Sequence, residues 1–248
     1  MGQLEGKIAI VTGANRGIGK AIAVAYAREG AQVALVCRGE PEKTVKEIES
    51  AGGKCATFRH DLADVRGIEK LVKDIAEKCG TVDILYNNAG TQSRHPCVDF
   101  PIEDWNRVLD VNCNAVFFMC QQAGKIMIEK GYGKIINMAS LLSFQGGLTV
   151  PAYTASKGAV MQFTKSLSNE WAKLGVNVNC IAPGYIDTEM NTALINDPTR
   201  SRQILERIPA GRWGKPEDIT GAAIFLAGPA SDYVNGIVLP VDGGWLGR

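Results

Sequence analysis

Tyr153 and Lys157 stand four residues apart in the stretch PAYTASKGAVMQFTKSLSNEWAKL, residues 151–174. That spacing puts both side chains on one face of a helix. Ser140 lies just upstream, at the end of the apolar run Lys134 to Ala139. A phenol, an ammonium and a hydroxyl brought to one pocket can do acid–base chemistry at a carbonyl or an alcohol. A phenol alone titrates near pH 10, too high to trade protons at neutrality. An ammonium close by favours the phenolate and is expected to lower that value. Taken singly, the pair also describes an edge aromatic beside a solvated charge on an ordinary helix, so the chemistry needs a cofactor site elsewhere in the chain.

The elements that must position these groups can be read from the pattern around them. Pro151 suits a first helical turn. Ala152, Ala155, Ala159, Val160, Phe163, Leu167 and Trp171 recur at helical spacing and predict the buried stripe of that helix. Strand-like apolar runs are expected at 7–12, 32–37, 55–60, 83–87, 134–139, 176–181 and 236–241. Helical patterns fall between them at 17–29, 41–51, 65–79, 102–130 and 216–226. The helix at 102–130 is opened by Pro101 and expected to be interrupted near Leu109. Continuous apolar runs imply strands buried on both faces, as in a parallel sheet covered by helices. Right-handed crossovers then build a doubly wound α/β sheet of about seven parallel strands in one domain, 1–248.

Composition excludes several classes. A net charge of +1 gives no reason to expect nucleic acid or a charged membrane surface, and 46% hydrophobic residues are ample for one core. No apolar run approaches the roughly 18 residues that span a bilayer. The start MGQLEGK carries no apolar leader. Seven scattered cysteines without a C-x-x-C imply reduced thiols and a cytoplasmic setting. Two histidines, His60 and His95, without clustered partners give no metal site.

The cofactor signal is Thr12-Gly13-Ala14-Asn15-Arg16-Gly17-Ile18-Gly19, which follows the first strand and opens the first helix. Glycines there allow a tight turn and close backbone approach to a phosphate, while the helix N-terminus offers N–H groups to a pyrophosphate. In the first β-turn-α of an alternating chain, this predicts a Rossmann-type dinucleotide site. A positively charged nicotinamide would favour the Tyr153 phenolate as a nearby cation does. The spacing is G-x-x-x-G-x-G, not G-x-G-x-x-G.

With those motifs the chain resembles the short-chain dehydrogenase/reductase family over essentially its whole length. TGANRGIG resembles the family's cofactor loop, Asp61-Leu62 its adenine-contacting position, and Asn87-Asn88-Ala89-Gly90 its NNAG. Asn112, Ser140, Tyr153 and Lys157 fall at its four catalytic positions, and Pro183-Gly184 with Ile186 and Thr188 at the segment that wraps the nicotinamide. The resemblance implies that Ser140 polarises the substrate oxygen and that Tyr153 is the general acid in reduction and base in oxidation. It implies that Lys157 holds the ribose hydroxyls and tunes Tyr153, and that Asn112 positions a water leading to solvent.

At the end of the second strand stands Cys37, where an acidic residue would bind the ribose 2′-OH of NAD. Arg38 follows and Arg16 sits in the glycine loop, and two guanidiniums suit a 2′-phosphate. NADP(H) is therefore expected over NAD(H), although Glu40 could reach the ribose. For the substrate, Arg94 suits a carboxylate and equally a surface charge, Gln145 suits a hydroxyl, and Leu142 lies beside the catalytic serine. The stretch Glu189 to Arg207, within 189–210, is expected to form a mobile lid. Segments such as ASLLSFQGG, IAPGYIDT and RIPAGRWGKPEDI resemble the sugar-acid dehydrogenases of the family. A 3-oxoacyl-carrier-protein or broad ketone reductase is the alternative, and a non-catalytic dinucleotide sensor a lesser one. The family resemblance implies a homotetramer built on the long helix before Gly131 and on the Tyr153 helix.

Overall fold

Each apolar run becomes a strand of one sheet. A computed structural model describes residues 2–248, so Met1, the first residue of the MGQLEGK start, lies outside them. The strands are β1 (Ile8–Thr12), β2 (Gln32–Cys37), β3 (Lys54–Arg59), β4 (Ile84–Asn87), β5 (Gly133–Met138), β6 (Val176–Pro183) and β7 (Val238–Val241). All seven are parallel, in the order β3-β2-β1-β4-β5-β6-β7. The order reverses between β1 and β4, and beyond the carboxyl ends of those two strands such a sheet leaves a crevice for a ligand.

Successive residues of a strand bury themselves on opposite faces, which is why the runs are continuous. Ile10, Leu85, Ile135 and Val178 join one apolar cluster, under helices α3 (Ile68–Cys79), α5 (Ala115–Lys130) and α6 (Pro151–Trp171). Ala9, Val11, Ile84, Tyr86 and Ile136 join the other, under α1 (Gly17–Arg28), α2 (Glu42–Ser50) and α9 (Thr220–Ala227). Leu85 and Ile136 are fully buried, and each such side chain stabilises the fold by about 1.5–3 kcal/mol.

A buried polar chain crosses the first cluster. Asn87 Nδ2 donates to Asn137 Oδ1 at 2.9 Å, and Asn137 Nδ2 donates to Thr164 Oγ1 at 2.9 Å. It ties β4 and β5 to α6, so the helix carrying Tyr153 is fixed in rotation as well as in depth.

The interruption expected near Leu109 is a π-type turn at Asp110–Asn114, between α4 (Ile102–Leu109) and α5. The expected stripe on α6 holds at Ala152, Val160 and Leu167 but not at Ala155, which is exposed. Ser156, Lys157 and Thr164 take buried places instead. The polar stretch after Thr188 contains helices of its own, α7 (Thr192–Ile195) and α8 (Pro198–Arg207). Asp197 caps α8, its Oδ1 accepting from Thr199 N at 2.9 Å and Arg200 N at 3.0 Å. Ile204 and Ile208 pack on Leu141 and Trp245 in a third, smaller cluster. Among the described residues no helix is long and apolar enough to cross a membrane.

Candidate active site

The crevice beyond β1 and β4 is built from two loops that hold one another. Thr12 Oγ1 accepts from the backbone N–H groups of Asn88 and Ala89, both at 3.0 Å, while Asn88 Nδ2 donates to the carbonyls of Thr12 at 3.0 Å and Gly13 at 3.3 Å. Gly13 needs its φ of 65°, and a Cβ there would stand 2.9 Å from Asn88 Nδ2. A Cβ on Gly19 would strike the Gly13 carbonyl and come within 2.5 Å of Asn88 Nδ2. Asn15 is half-buried, Ile18 packs on the core, and the extended N-cap Arg16 contributes no side-chain cap to the first turn of α1. Uncapped N–H groups beside a loop with no room for a Cβ at Gly13 or Gly19 fit a dinucleotide pyrophosphate.

At the carboxyl end of β5, Tyr153 and Lys157 share a face of α6, with Lys157 Nζ 5.7 Å from the centroid of the Tyr153 ring. Lys157 is 3% exposed, its Nζ donates to the Met138 carbonyl at 2.6 Å, and burial holds its pKa down to about 8. The expected lowering of the Tyr153 pKa is not found within the protein itself. Burial raises it above the usual value, and only interaction with Ser140 pulls the other way. The ammonium is engaged with Met138 and is itself weakened by burial, so desolvation outweighs it. Ser140 opens a turn of 3-10 helix and is held by it. Its Oγ accepts from Leu142 N at 3.1 Å, and its N–H donates to Ser143 Oγ at 3.2 Å. Ser143 Oγ in turn donates to the Lys157 carbonyl at 2.7 Å, joining the serine turn to α6.

Asn112 is fully buried in the π-type turn. Its side chain exchanges two 2.8 Å bonds with the backbone of Thr91 and donates to Ser156 Oγ at 3.2 Å. Ser156 Oγ passes a 2.7 Å bond to the Tyr153 carbonyl. The Asn112 side chain is thus committed to the protein. Gly90 lies beside it, where a Cβ would meet Asn112 Oδ1 at 3.4 Å.

Other expected cofactor positions divide. Pro183 ends β6, Gly184 has no room for a Cβ beside Asp242, Ile186 is buried, and Thr188 faces Gly17. Leu62 puts its side chain into the core, and Asp61 caps its own turn, accepting from Ala63 N at 3.1 Å. Cys37 is buried and Arg38 exposed at the end of β2, and the Glu40 carboxylate lies close enough to help raise the Cys37 pKa. Arg16 carries an ion pair with Glu189, at the start of the expected lid. Nothing in the spacing signalled that partner, which is 173 residues away.

Among the expected substrate residues, Arg94 is exposed and Leu142 half-buried. Gln145 is half-buried, and its Oε1 accepts from Trp245 Nε1 at 3.3 Å and from Arg207 Nη2 at 3.4 Å. Its oxygen is therefore spent, which leaves its amide N–H groups to meet a hydroxyl or carboxylate. Gln92 Nε2 donates to the Met190 carbonyl at 3.2 Å, a further tie between the NNAG side and the start of the expected lid. A cavity of about 220 Å³ at the ends of β6 and β7 is lined by Tyr185, Ile208 and Asp242. Neither Ser140 nor Tyr153 reaches it, so it is distinct from the acid–base site.

Known proteins match the whole chain. A family model described as Enoyl-(Acyl carrier protein) reductase covers residues 13–246. The 2-dehydro-3-deoxy-D-gluconate 5-dehydrogenase of Dickeya dadantii is 48% identical over 246 residues, 99% of this chain and 97% of that protein. A solved structure from Agrobacterium tumefaciens with bound NADP, provisionally named a 2-deoxy-D-gluconate 3-dehydrogenase, is 50% identical. It superposes with a TM-score of 0.94 over 99% of this chain and 98% of its own. The gluconate 5-dehydrogenase of Burkholderia cenocepacia, solved with NADP and tartrate, is 38% identical with a TM-score of 0.94, covering 99% of this chain and 97% of its own.

Proposed function

The chain belongs to the short-chain dehydrogenase/reductase family and is a nicotinamide-dependent oxidoreductase acting on CH–OH groups; from that premise we propose that its substrate is a sugar acid. The compound would resemble 2-dehydro-3-deoxygluconate or, next, gluconate. The observation that carries the oxidoreductase chemistry is the pairing of Tyr153 and Lys157, one turn apart on α6, with Ser140 held beside them. The names of the three relatives given above, each of a sugar-acid enzyme, supply the substrate class.

The dinucleotide, when bound, supplies or accepts the hydride. Gly13, Gly17 and Gly19 keep its phosphates close to backbone N–H groups, and Lys157 is the residue to hold its ribose hydroxyls. Ser140 donates a hydrogen bond to the substrate oxygen and polarises the C–O bond. In reduction Tyr153 gives its phenolic proton to that oxygen as the carbon gains its hydride, and in oxidation it takes the proton back. Lys157, one turn below, sets its ammonium on the same face of α6, and Ser140 is the protein group that favours the phenolate that forms. Asn112 fixes the loop at Thr91 and, through Ser156, the backbone of Tyr153.

Arg38 and Arg16 favour NADP(H) over NAD(H), supported by a cysteine, not a carboxylate, as the last residue of β2 and by the NADP in the related structures, while Glu40 close by is the group that would favour NAD(H). Residues 189–210 serve as the lid. The half-buried small residues of α6 and the exposed Phe118 of α5 suit a homotetramer, and seven free cysteines a cytoplasmic setting. The test is NADPH and NADH consumption, at equal concentrations, against keto-sugar acids, acetoacetyl thioesters and simple ketones. Fastest turnover of a keto-sugar acid with NADPH is expected. Preference for the thioester would move the assignment to an acyl-carrier-protein reductase.

A further inference from the structure

We infer that Arg207, on the last turn of α8, binds the carboxylate of the substrate, and that Trp245 is the residue that positions it. This rests on the sugar-acid reading above. Trp245 is 4% exposed although it lies in the last few residues of the chain. It packs on Leu141, the neighbour of Ser140, and on Ile204 and Ile208 of α8. The Arg207 guanidinium lies over its ring, 4.1 Å from the centroid. Such stacking fixes the plane of the guanidinium while leaving its N–H edges to make bonds.

Gln145 joins the two. Its N–H donates to the Leu141 carbonyl at 3.2 Å, so it rides on the turn that Ser140 opens. Both groups that reach its side-chain amide, Trp245 Nε1 and Arg207 Nη2, are donors. The amide oxygen must therefore face them and its N–H₂ must face away. Arg207 is exposed and, like Arg94, has no acidic partner among the described residues; Arg16, Arg202 and Arg212 are each paired, and Arg207 alone of the unpaired arginines bonds to the serine turn through Gln145. A cation without a counter-ion, held flat beside an amide donor on the serine turn, is built to take a carboxylate in bidentate fashion. The competing account is that Arg207 merely complements the carboxyl end of α8.

Steady-state kinetics at saturating NADPH separate the two accounts. The substrates are 5-keto-D-gluconate and L-sorbose, its counterpart with a hydroxymethyl group in place of the carboxylate. Arg207→Gln is expected to raise KM for the acid about tenfold or more, with kcat nearly unchanged and both constants for L-sorbose unaltered. Arg207→Lys, which keeps the charge without the fork, restores part of the loss. Trp245→Phe keeps the ring face without the N–H and gives a smaller rise in KM, while Trp245→Leu approaches Arg207→Gln. Calorimetric binding of D-gluconate reads the same contact without turnover and should weaken in Arg207→Gln at an unchanged melting temperature. An unaltered KM for the acid and unaltered gluconate binding in Arg207→Gln overturn the inference, as does an equal loss for both substrates. Wild-type protein that prefers L-sorbose instead overturns the sugar-acid reading and this inference with it.

Discussion

Replacing Lys157 with methionine should abolish the chemistry and yet make the protein more stable at neutral pH. Lys157 is 3% exposed, and burial brings its pKa from 10.5 to about 8. At about 1.4 kcal/mol for each tenfold change, carrying that charge costs the folded chain about 3 kcal/mol at pH 7. Methionine removes the cost and fills similar space, but leaves the Met138 carbonyl, which accepts from Nζ at 2.6 Å, without a partner. An unpartnered buried acceptor costs about 1–2 kcal/mol. Lys157→Met is therefore expected to be about 1–2 kcal/mol more stable at pH 7. The sign reverses with pH. The unfolded lysine binds its proton up to 10.5 and the folded one only up to about 8, so wild-type stability rises through that window while the variant has nothing there to titrate. Urea unfolding of both proteins at pH 7, 8.5 and 10 reads the difference, since every other group cancels. A variant less stable at pH 7, by an amount independent of pH, would refute the claim that the ammonium is held at a cost.

Gly19→Ala puts a Cβ within 2.5 Å of Asn88 Nδ2. It should lose dinucleotide binding, measured by quenching of NADPH fluorescence, and about 1–3 kcal/mol of stability. Thr149 has a φ of 63°, the one non-glycine residue in the left-handed region among those described. Thr149→Gly should relieve that strain and gain about 0.5–1 kcal/mol in urea unfolding after the added chain entropy is counted. Arg16→Gln frees Glu189 from its ion pair and removes a guanidinium from the glycine loop. KM for NADPH should rise about tenfold, the worth of about 1.5 kcal/mol for a charged hydrogen bond, with KM for NADH nearly constant; equal changes would show that Arg16 does not meet the 2′-phosphate.

The sheet was legible because burial on both faces leaves a plain mark. Val33, Ala34, Leu35 and Val36 are all fully buried, so β2 reads as one apolar word. The interruption of the long helix was legible for a similar reason, because DVNCN breaks the apolar rhythm between RVL and AVFFMC. Residues 192–207 did not show their helices, since their large apolar residues come as two isolated pairs, Leu194-Ile195 and Ile204-Leu205, and make no stripe. A signal was nevertheless present in Asp197-Pro198, an N-cap followed by proline at the first helical position. The site divides in the same way. Glycines and the Tyr153–Lys157 pair are local patterns and could be found by spacing. The contacts that join Arg16 to Glu189 and Gln145 to Trp245 span 173 and 100 residues, and only the folded chain brings them together. The electrostatics of Tyr153 were misjudged from spacing alone, because proximity to Lys157 was visible and the burial of both groups was not.

The most direct measurement is turnover by Tyr153→Phe, with NADPH binding followed in the same samples. The phenylalanine keeps the ring against α6 and removes only the oxygen. Loss of turnover by about a thousandfold or more, with NADPH binding unchanged, is the expected result. A Tyr153→Phe protein that still reduces the substrate at a comparable rate would mean that the proton comes from another group.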